Sequence, residues 1–415
     1  MARAAAGLAA REVGHWVHSW VAMPQLTEDS NLPPAPFNQP GSEFANATLR
    51  QTVRISIGAR FLRLRISNAF GDTALPITAA SIALPAAGRA GAGAIQPATT
   101  RPVTFDKNAS ITIPPGSQAV SDPLDFPLPA LTNLTVNLYL AQGQASHNIT
   151  SHPGSRTSTH ILHGNHLDDP DLPGAASVAH WYFISGIEAW ASPQTAAAVT
   201  LGDSLTDGRG STTDGNDRWP DQLLNRLHAH AATARVAILN QGAGGNRILD
   251  DGLGPNAIGR IDRDVLAQSG VKWLLVFEGV NDIGTTPATD TAQKQTADQL
   301  TAAYQQIITR AHAAGIRVYG ATLTPLGGNG YDDPQGLRET TRQTINTWIR
   351  TSHRFDAVID FDKAARDPAN PHRLNPAYDT GDHLHMNPSG YKALADAVPT
   401  RLFLDRPLPP GFGFN

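Results

Sequence analysis

Up to about residue 190, apolar positions come in short runs that alternate with polar ones or cluster as β-branched groups. Examples are Thr52–Ile57, Phe61–Ser67, Ile77–Ile82, Ser110–Ile113 and Leu131–Leu140. A period of two sends successive side chains to opposite faces, so each run reads as a half-buried strand. Turn formers punctuate the runs, as in Asn68-Ala-Phe-Gly71 and Pro114-Pro-Gly116. Short strands so punctuated predict an all-β, sandwich-like domain over residues 14–190. No long helical period and no internal repeat is found there.

From about Ala196 the pattern changes. Strand-like runs at Ala197–Leu201, Val236–Asn240, Trp273–Glu278, Arg317–Leu323 and Ala357–Asp360 alternate with helical periods. The helices are expected at Trp219–His230, Ile258–Gln268, Thr291–Ala314, Gln335–Thr351 and about Pro388 to Leu402. Strand and helix in alternation predict an α/β domain over residues 196–405, a three-layer open parallel sheet with helices on both faces. Such sheets carry their sites outside the carboxyl ends of the strands. Ser192-Pro-Gln-Thr195 reads as the linker between the two parts.

A length of 415 residues is too great for one ordinary core and fits two or three domains. With 40% hydrophobic and 16% charged residues the composition is that of a soluble globular protein. The formal net charge of −4 and the lack of a long Lys/Arg run argue against nucleic acid or an anionic membrane as partner. The absence of cysteine excludes disulfides, thiolate nucleophiles and Cys-ligated zinc. No apolar run is long enough for a transmembrane segment. Met1–Ala10 is too short and too weakly apolar for a good signal peptide. Sequons at Asn46, Asn108, Asn133 and Asn148 nevertheless lead us to expect a secreted protein, with chance occurrence in a Ser/Thr-rich chain as the plainer account.

Four segments carry candidate chemistry. Ser204, in Gly202-Asp-Ser-Leu-Thr206, follows the first strand and projects into the crevice; alone it is better read as a capped turn. Asn240-Gln-Gly-Ala-Gly-Gly-Asn-Arg247 follows the second strand, and its glycines let backbone N–H groups face a ligand. Glu278-Gly-Val-Asn-Asp282 follows the third, where the Asn281 amide could donate to a developing negative charge. In Asp382-His-Leu-His385 the carboxylate and imidazole can sit side by side, so that Asp382 holds the tautomer of His385. Each has a bland alternative in a turn or helix cap; their conjunction points to acyl transfer.

These segments resemble the SGNH, or GDSL-type, esterase/lipase superfamily. The resemblance covers about the last half of the chain. It implies a flavodoxin-like sheet and puts the family's four named roles on Ser204, Gly245, Asn281 and His385. Gly245 is chosen over Gly244 because it ends an Asn-x-Gly-x-x-Gly pattern. A looser resemblance to a secreted carbohydrate-esterase subgroup rests on Leu49-Arg-Gln-Thr-Val-Arg54, Arg65-Ile-Ser-Asn68, Ser121-Asp-Pro123, Arg218-Trp-Pro-Asp221 and Leu323-Thr-Pro325.

The expected activity is cleavage of a carboxylic ester through an acyl-enzyme, on a small-molecule or polysaccharide substrate, with acetyl or short-acyl carbohydrate esters favoured. Ser204, Asp382 and His385 are the expected catalytic residues. The Ser204 N–H, the Gly245 N–H and the Asn281 amide are the expected oxyanion hole. No cofactor or metal is called for. Asp203, Asp207, Asn246, Arg247, Glu278 and Asp282 are candidate pocket neighbours. Asp203 and Asp282 are read as structural, and Glu278 as either a loop anchor or a ligand for a sugar hydroxyl. The loops Arg209–Asp217 and Leu326–Pro334 are expected at the rim. His147, His152, His160, His163 and His166 are read as solvated loop histidines rather than a zinc site. Trp16, Trp20, Trp181 and Trp190 are read as core or interdomain packing. The alternatives are a lipase or lysophospholipase, an acyltransferase, a metallohydrolase, or a glycan-binding protein working through its first domain.

Overall fold

The structure, a computed structural model, describes residues 13–404; the Met1–Ala10 segment weighed above as a leader lies outside them. The first part is built from antiparallel sheets. One runs in the order His15–Val21, Ile184–Ala191, Ala59–Asn68, Leu124–Leu128, with Ser117–Val120 also paired to Ala59–Asn68. The other runs Ala176–Val178, Thr159–His163, Ala47–Arg54, Asn133–Leu140, Ala79–Ala83, Arg101–Val103. A small sheet pairs Trp181–Tyr182, Thr150–His152 and Gln25–Leu26. No α-helix occurs in this part among the described residues.

Two strand expectations shift for local reasons. The run Ile77–Ile82 is divided at Thr78. Leu75–Ile77 pairs with Ile111–Ile113, whereas Ala79–Ala83 joins Asn133–Leu140. The run Thr52–Ile57 belongs instead to Ala47–Arg54, and Ser56 leaves the ladder to bond the other part of the chain.

The second part holds a parallel sheet in the order Val236–Gly242, Ala196–Gly202, Val271–Phe277, Arg317–Ala321, Ala357–Ile359. This is the flavodoxin-like order, and the strand direction of winding reverses around Ala196–Gly202. Every residue of that strand is buried, as a sheet covered on both faces requires. Trp219–His228 packs with Pro388–Ala397, and Asp290–Ala313 with Leu337–Thr351, giving the two helical layers. The expected Ile258–Gln268 helix is an α-turn, Ala257–Ile261, running into a wider π-turn, Asp262–Leu266. The last helix stops at Ala397, short of Leu402. Pro399 pushes Val398 out of helical space (φ −80, ψ 115), and a 3-10 turn, Thr400–Phe403, follows.

The chain passes between the two parts through Ser192–Thr195, closed by the Thr195 N–H bond to Ser192 O at 2.9 Å. The apolar cores are continuous: Val17, Trp20 and Ile57 belong to the same buried cluster as Leu224 and Ile238. Polar contacts pin the seam. Ser56 Oγ donates to Ile238 O at 3.0 Å and accepts from Ile238 N at 3.2 Å. Ser269 Oγ donates to the buried Glu188 carboxylate at 2.8 Å, which also pairs Arg63 and Arg65 at 2.8 and 3.0 Å.

Because the core runs through the seam, both parts are expected to unfold together. Calorimetry should give one cooperative transition. Two resolved endotherms would show that the parts melt independently.

Candidate active site

Gly202 closes the central strand, and only glycine fits there. A Cβ would lie 2.2 Å from Thr206 Oγ1 and 2.6 Å from Phe277 O. The chain then turns into a single helical turn, Ser204–Asp207, capped by Asp203 Oδ1 accepting from Leu205 N at 2.9 Å. Gly208, with φ of 96°, ends the turn. Ser204 is thereby raised at the carboxyl edge of the sheet, and its Oγ lies 2.8 Å from His385 Nε2.

Asp382 and His385 come from the loop before Pro388–Ala397. Asp382 Oδ2 accepts from His385 Nδ1 at 2.6 Å. Its Oδ1 accepts from Leu384 N at 3.0 Å and His385 N at 2.8 Å. Partial burial works against the Asp382 anion, but these donors outweigh it and hold the carboxyl well below its ordinary range. The His385 pKa is lowered from 6.5, chiefly by burial, against the opposing pull of Asp382. With Nδ1 committed to a carboxylate, the imidazole presents Nε2 as an acceptor to the serine hydroxyl.

Asn281 stands in the first turn of Val280–Thr285, just past the third strand. Tyr331 O–H donates to Asn281 Oδ1 at 2.9 Å, and Asn281 Nδ2 donates to Asn246 O at 2.8 Å. The two bonds orient the amide and leave its second N–H uncommitted. Gly245 adjoins Asn246 in the turn after Val236–Gly242. It has a left-handed backbone (φ 70°), and a Cβ would meet Leu253 Cδ1 at 2.5 Å; Gly244 has neither constraint.

Behind these loops lies a buried charge cluster. Arg260 Nη2 donates to Gly202 O at 3.2 Å, Nη1 to Gln241 O at 2.8 Å and Nε to Asn246 Oδ1 at 3.0 Å. It pairs with Asp264 at 3.3 Å and with Glu278 at 3.7 Å. Glu278 is fully buried on this cation, so it does not line the crevice and is not placed to meet a sugar hydroxyl. Burial pushes Glu278 up to about 8, and Arg260 opposes it. Asp203 is raised to about 7, by burial and by the charges of Asp282 and Asp207. Burial likewise raises Asp282 to about 6, although its carboxylate accepts from Ile248 N and Leu249 N and so anchors that loop. Asn246 is buried too, its amide bonding Leu253 O and Pro255 O. Arg247 is bonded to Asp251 O.

Asp207 is buried too, and its Oδ1 lies 3.0 Å from Nε2 of His152, whose Nδ1 lies 2.9 Å from Met23 O. His152 is therefore buried and bonded, contrary to the expectation of a solvated loop histidine. Among the other four, His160 bonds Gly91 O, His166 pairs with Asp169, and His147 with Glu43. Among the described residues no group of three or more His, Asp or Glu could hold a metal ion, and no helix is long and apolar enough to cross a membrane. Trp20 and Trp181 are buried and meet edge-to-face at 4.9 Å near the seam. Tyr331, Arg260 and His152 carry positions in this site that no motif marked.

The model of the GDSL-like Lipase/Acylhydrolase family matches residues 200–393. No curated protein matches the chain. Solved structures similar to it include an acetylxylan esterase from Geobacillus stearothermophilus, 19% identical over 51% of this chain and 95% of that one, with a TM-score of 0.37. A carbohydrate acetylesterase from Sinorhizobium meliloti is 16% identical over 49% of this chain and 96% of its own, with a TM-score of 0.36.

The buried cluster has a consequence for stability. The folded pKa of Glu278 lies above its ordinary 4.5. Its contribution to stability is therefore full below about pH 4.5 and is lost as pH rises through about 8. Glu278→Gln abolishes that titration. Chemical denaturation should show the variant gaining on the wild type, by a few kcal/mol at most, between about pH 5 and pH 9. A stability difference independent of pH would contradict this.

Proposed function

We propose that the chain is a carboxylic ester hydrolase that works through an acyl-enzyme on Ser204, a reading supported by the match of residues 200–393 to the GDSL-like lipase/acylhydrolase model. The observation that carries this reading is the relay Ser204 Oγ, His385 Nε2, His385 Nδ1, Asp382 Oδ2, with contacts of 2.8 and 2.6 Å. His385 Nε2 takes the hydroxyl proton as Oγ attacks the ester carbonyl. The imidazolium that forms is supported by Asp382, which stays ionised because its bonds hold its pKa low. The oxyanion meets the Ser204 N–H, the Gly245 N–H and the free N–H of Asn281. His385 then protonates the leaving alcohol, and water repeats the sequence on the acyl-enzyme.

The substrate in this reading is an acetyl or short-acyl ester on a carbohydrate. Two things support it. Ser204 and His385 are each only 5% exposed, a recessed setting suited to a small acyl group. The first part of the chain carries the segments that resemble the secreted carbohydrate-esterase subgroup. An extracellular location goes with that reading, and three of the four sequon asparagines, Asn46, Asn108 and Asn148, are exposed.

Ser204→Ala should abolish hydrolysis of p-nitrophenyl acetate while its circular dichroism stays that of the wild type; an active variant would refute the assignment. Asn281→Ala should lower kcat by about 10²–10³, and a change of less than about threefold would remove Asn281 from the oxyanion hole. Since the His385 pKa is lowered, the base form persists to lower pH than in a free histidine. The rise of kcat/KM with pH should have its midpoint below 6.5. A midpoint above 6.5 would contradict the environment described for the ring.

A further inference from the structure

The first part of the chain reaches into the edge of the site through residues 152–158, and the contacts fix that segment closely. His152 holds Asp207. Gly154 lies so close over the same residue that a Cβ would come within 1.7 Å of Asp207 Oδ2. Ser155 O accepts from Arg218, whose Nε also donates to Asp207 O at 3.0 Å. Asp214 N donates to Arg156 O at 2.9 Å, and the Asp214 carboxylate accepts from Ser158 N and Oγ at 2.7 and 2.9 Å.

Arg156 sits between these anchors with a left-handed backbone, φ 48°, which non-glycine residues seldom adopt. Its Nε is sealed from solvent without a hydrogen-bond partner, and its side chain forms no ion pair among the described residues. Arg209 follows directly on the nucleophile turn. Its N–H donates to Ser204 O at 3.0 Å and its carbonyl accepts from Tyr391 O–H at 2.6 Å, so the nucleophile turn itself fixes its backbone. The Arg209 side chain is exposed and also without an ion pair among the described residues. Both guanidinium groups bear electrostatically on His385 and lower its pKa. The carboxylates of this region are committed elsewhere: Asp382 to His385, Asp207 to His152, Asp214 to Ser158. Two cations without an ion-pair partner among the described residues thus act on a base that must itself become a cation during turnover. Asp382 supports that imidazolium, and an anion carried by the substrate would offset the opposition of the two arginines.

We infer that Arg156 and Arg209 form a cationic rim beside Ser204 and His385 that binds a carboxylate or phosphate carried by the alcohol portion of the ester. The enzyme is then selective for anionic esters, and the β-rich part supplies half of the selecting charge. The inference rests on the acyl-enzyme reading above and adds the substrate class.

The test uses the full chain and three acetyl esters: 4-acetoxybenzoate, 4-acetoxyphenyl phosphate and the neutral methyl 4-acetoxybenzoate. Arg156→Gln and Arg209→Gln should each lower the ratio of kcat/KM for the anionic over the neutral ester by about tenfold at low ionic strength, mostly through KM, and added salt should shrink the loss. The anionic ester with the greater dependence on the two arginines identifies the bound group. The midpoint of the pH profile on the neutral ester should also rise in each variant, a change that a purely structural role would not produce. If Arg156→Gln folds poorly, the exposed Arg209 carries the test. A ratio unchanged in Arg209→Gln, or an equal fall on all three esters, overturns the inference. Failure of the wild type to hydrolyse any of the three would instead overturn the esterase reading.

Discussion

A single buried guanidinium holds the catalytic edge together. Arg260 bonds the carbonyl of Gly202 at the end of the central strand, the carbonyl of Gln241 at the end of its neighbour, and the side chain of Asn246 in the glycine-rich turn. It faces Glu278, at the end of the third strand, at 3.7 Å. Taking such a group out of water is costly, and the cost is offset only when each donor finds an acceptor. The planar fork of an arginine can satisfy three directions at once, which a lysine ammonium cannot do in fixed geometry. The position of Ser204 follows from Gly202, two residues before it. The orientation of Asn281 follows from Asn246, whose carbonyl receives its amide.

The second constraint comes from outside the parallel sheet. His152 and Ser155 of the β-rich part reach Asp207 and Arg218, which flank the nucleophile turn on its far side. With the seam at Ser56 and Glu188, these contacts fix the first part against the turn that carries Ser204. A glycan-binding role for that part as an independent module is therefore less economical than a role in holding the nucleophile turn.

Much of this was legible in the chain. Strand and helix alternation exposed the parallel sheet, since a period of two and one of 3.6 are local properties. The Asp382–His385 pairing was legible because the two residues lie in one turn. Residues acting at long range were not: Tyr331 meets Asn281 across 50 positions and His152 meets Asp207 across 55. Nothing near Arg260 distinguishes it from a solvated helix arginine, because its partners lie on three other segments. Glu278 stays open between a loop anchor and a sugar ligand in the sequence for the same reason. A carboxylate at a strand end can open into the crevice, and the cation that meets it inside lies elsewhere in the chain. The strand division at Thr78 turned on a change of pairing partner, which periodicity does not register.

The most direct test of the account is covalent. An alkyl phosphonate ester that mimics the tetrahedral intermediate should label the enzyme once, and peptide mass spectrometry should place the adduct on Ser204, with labelling lost in His385→Ala. Rapid ester hydrolysis by a protein that acquires no adduct, or an adduct on another side chain, would contradict a Ser204 acyl-enzyme.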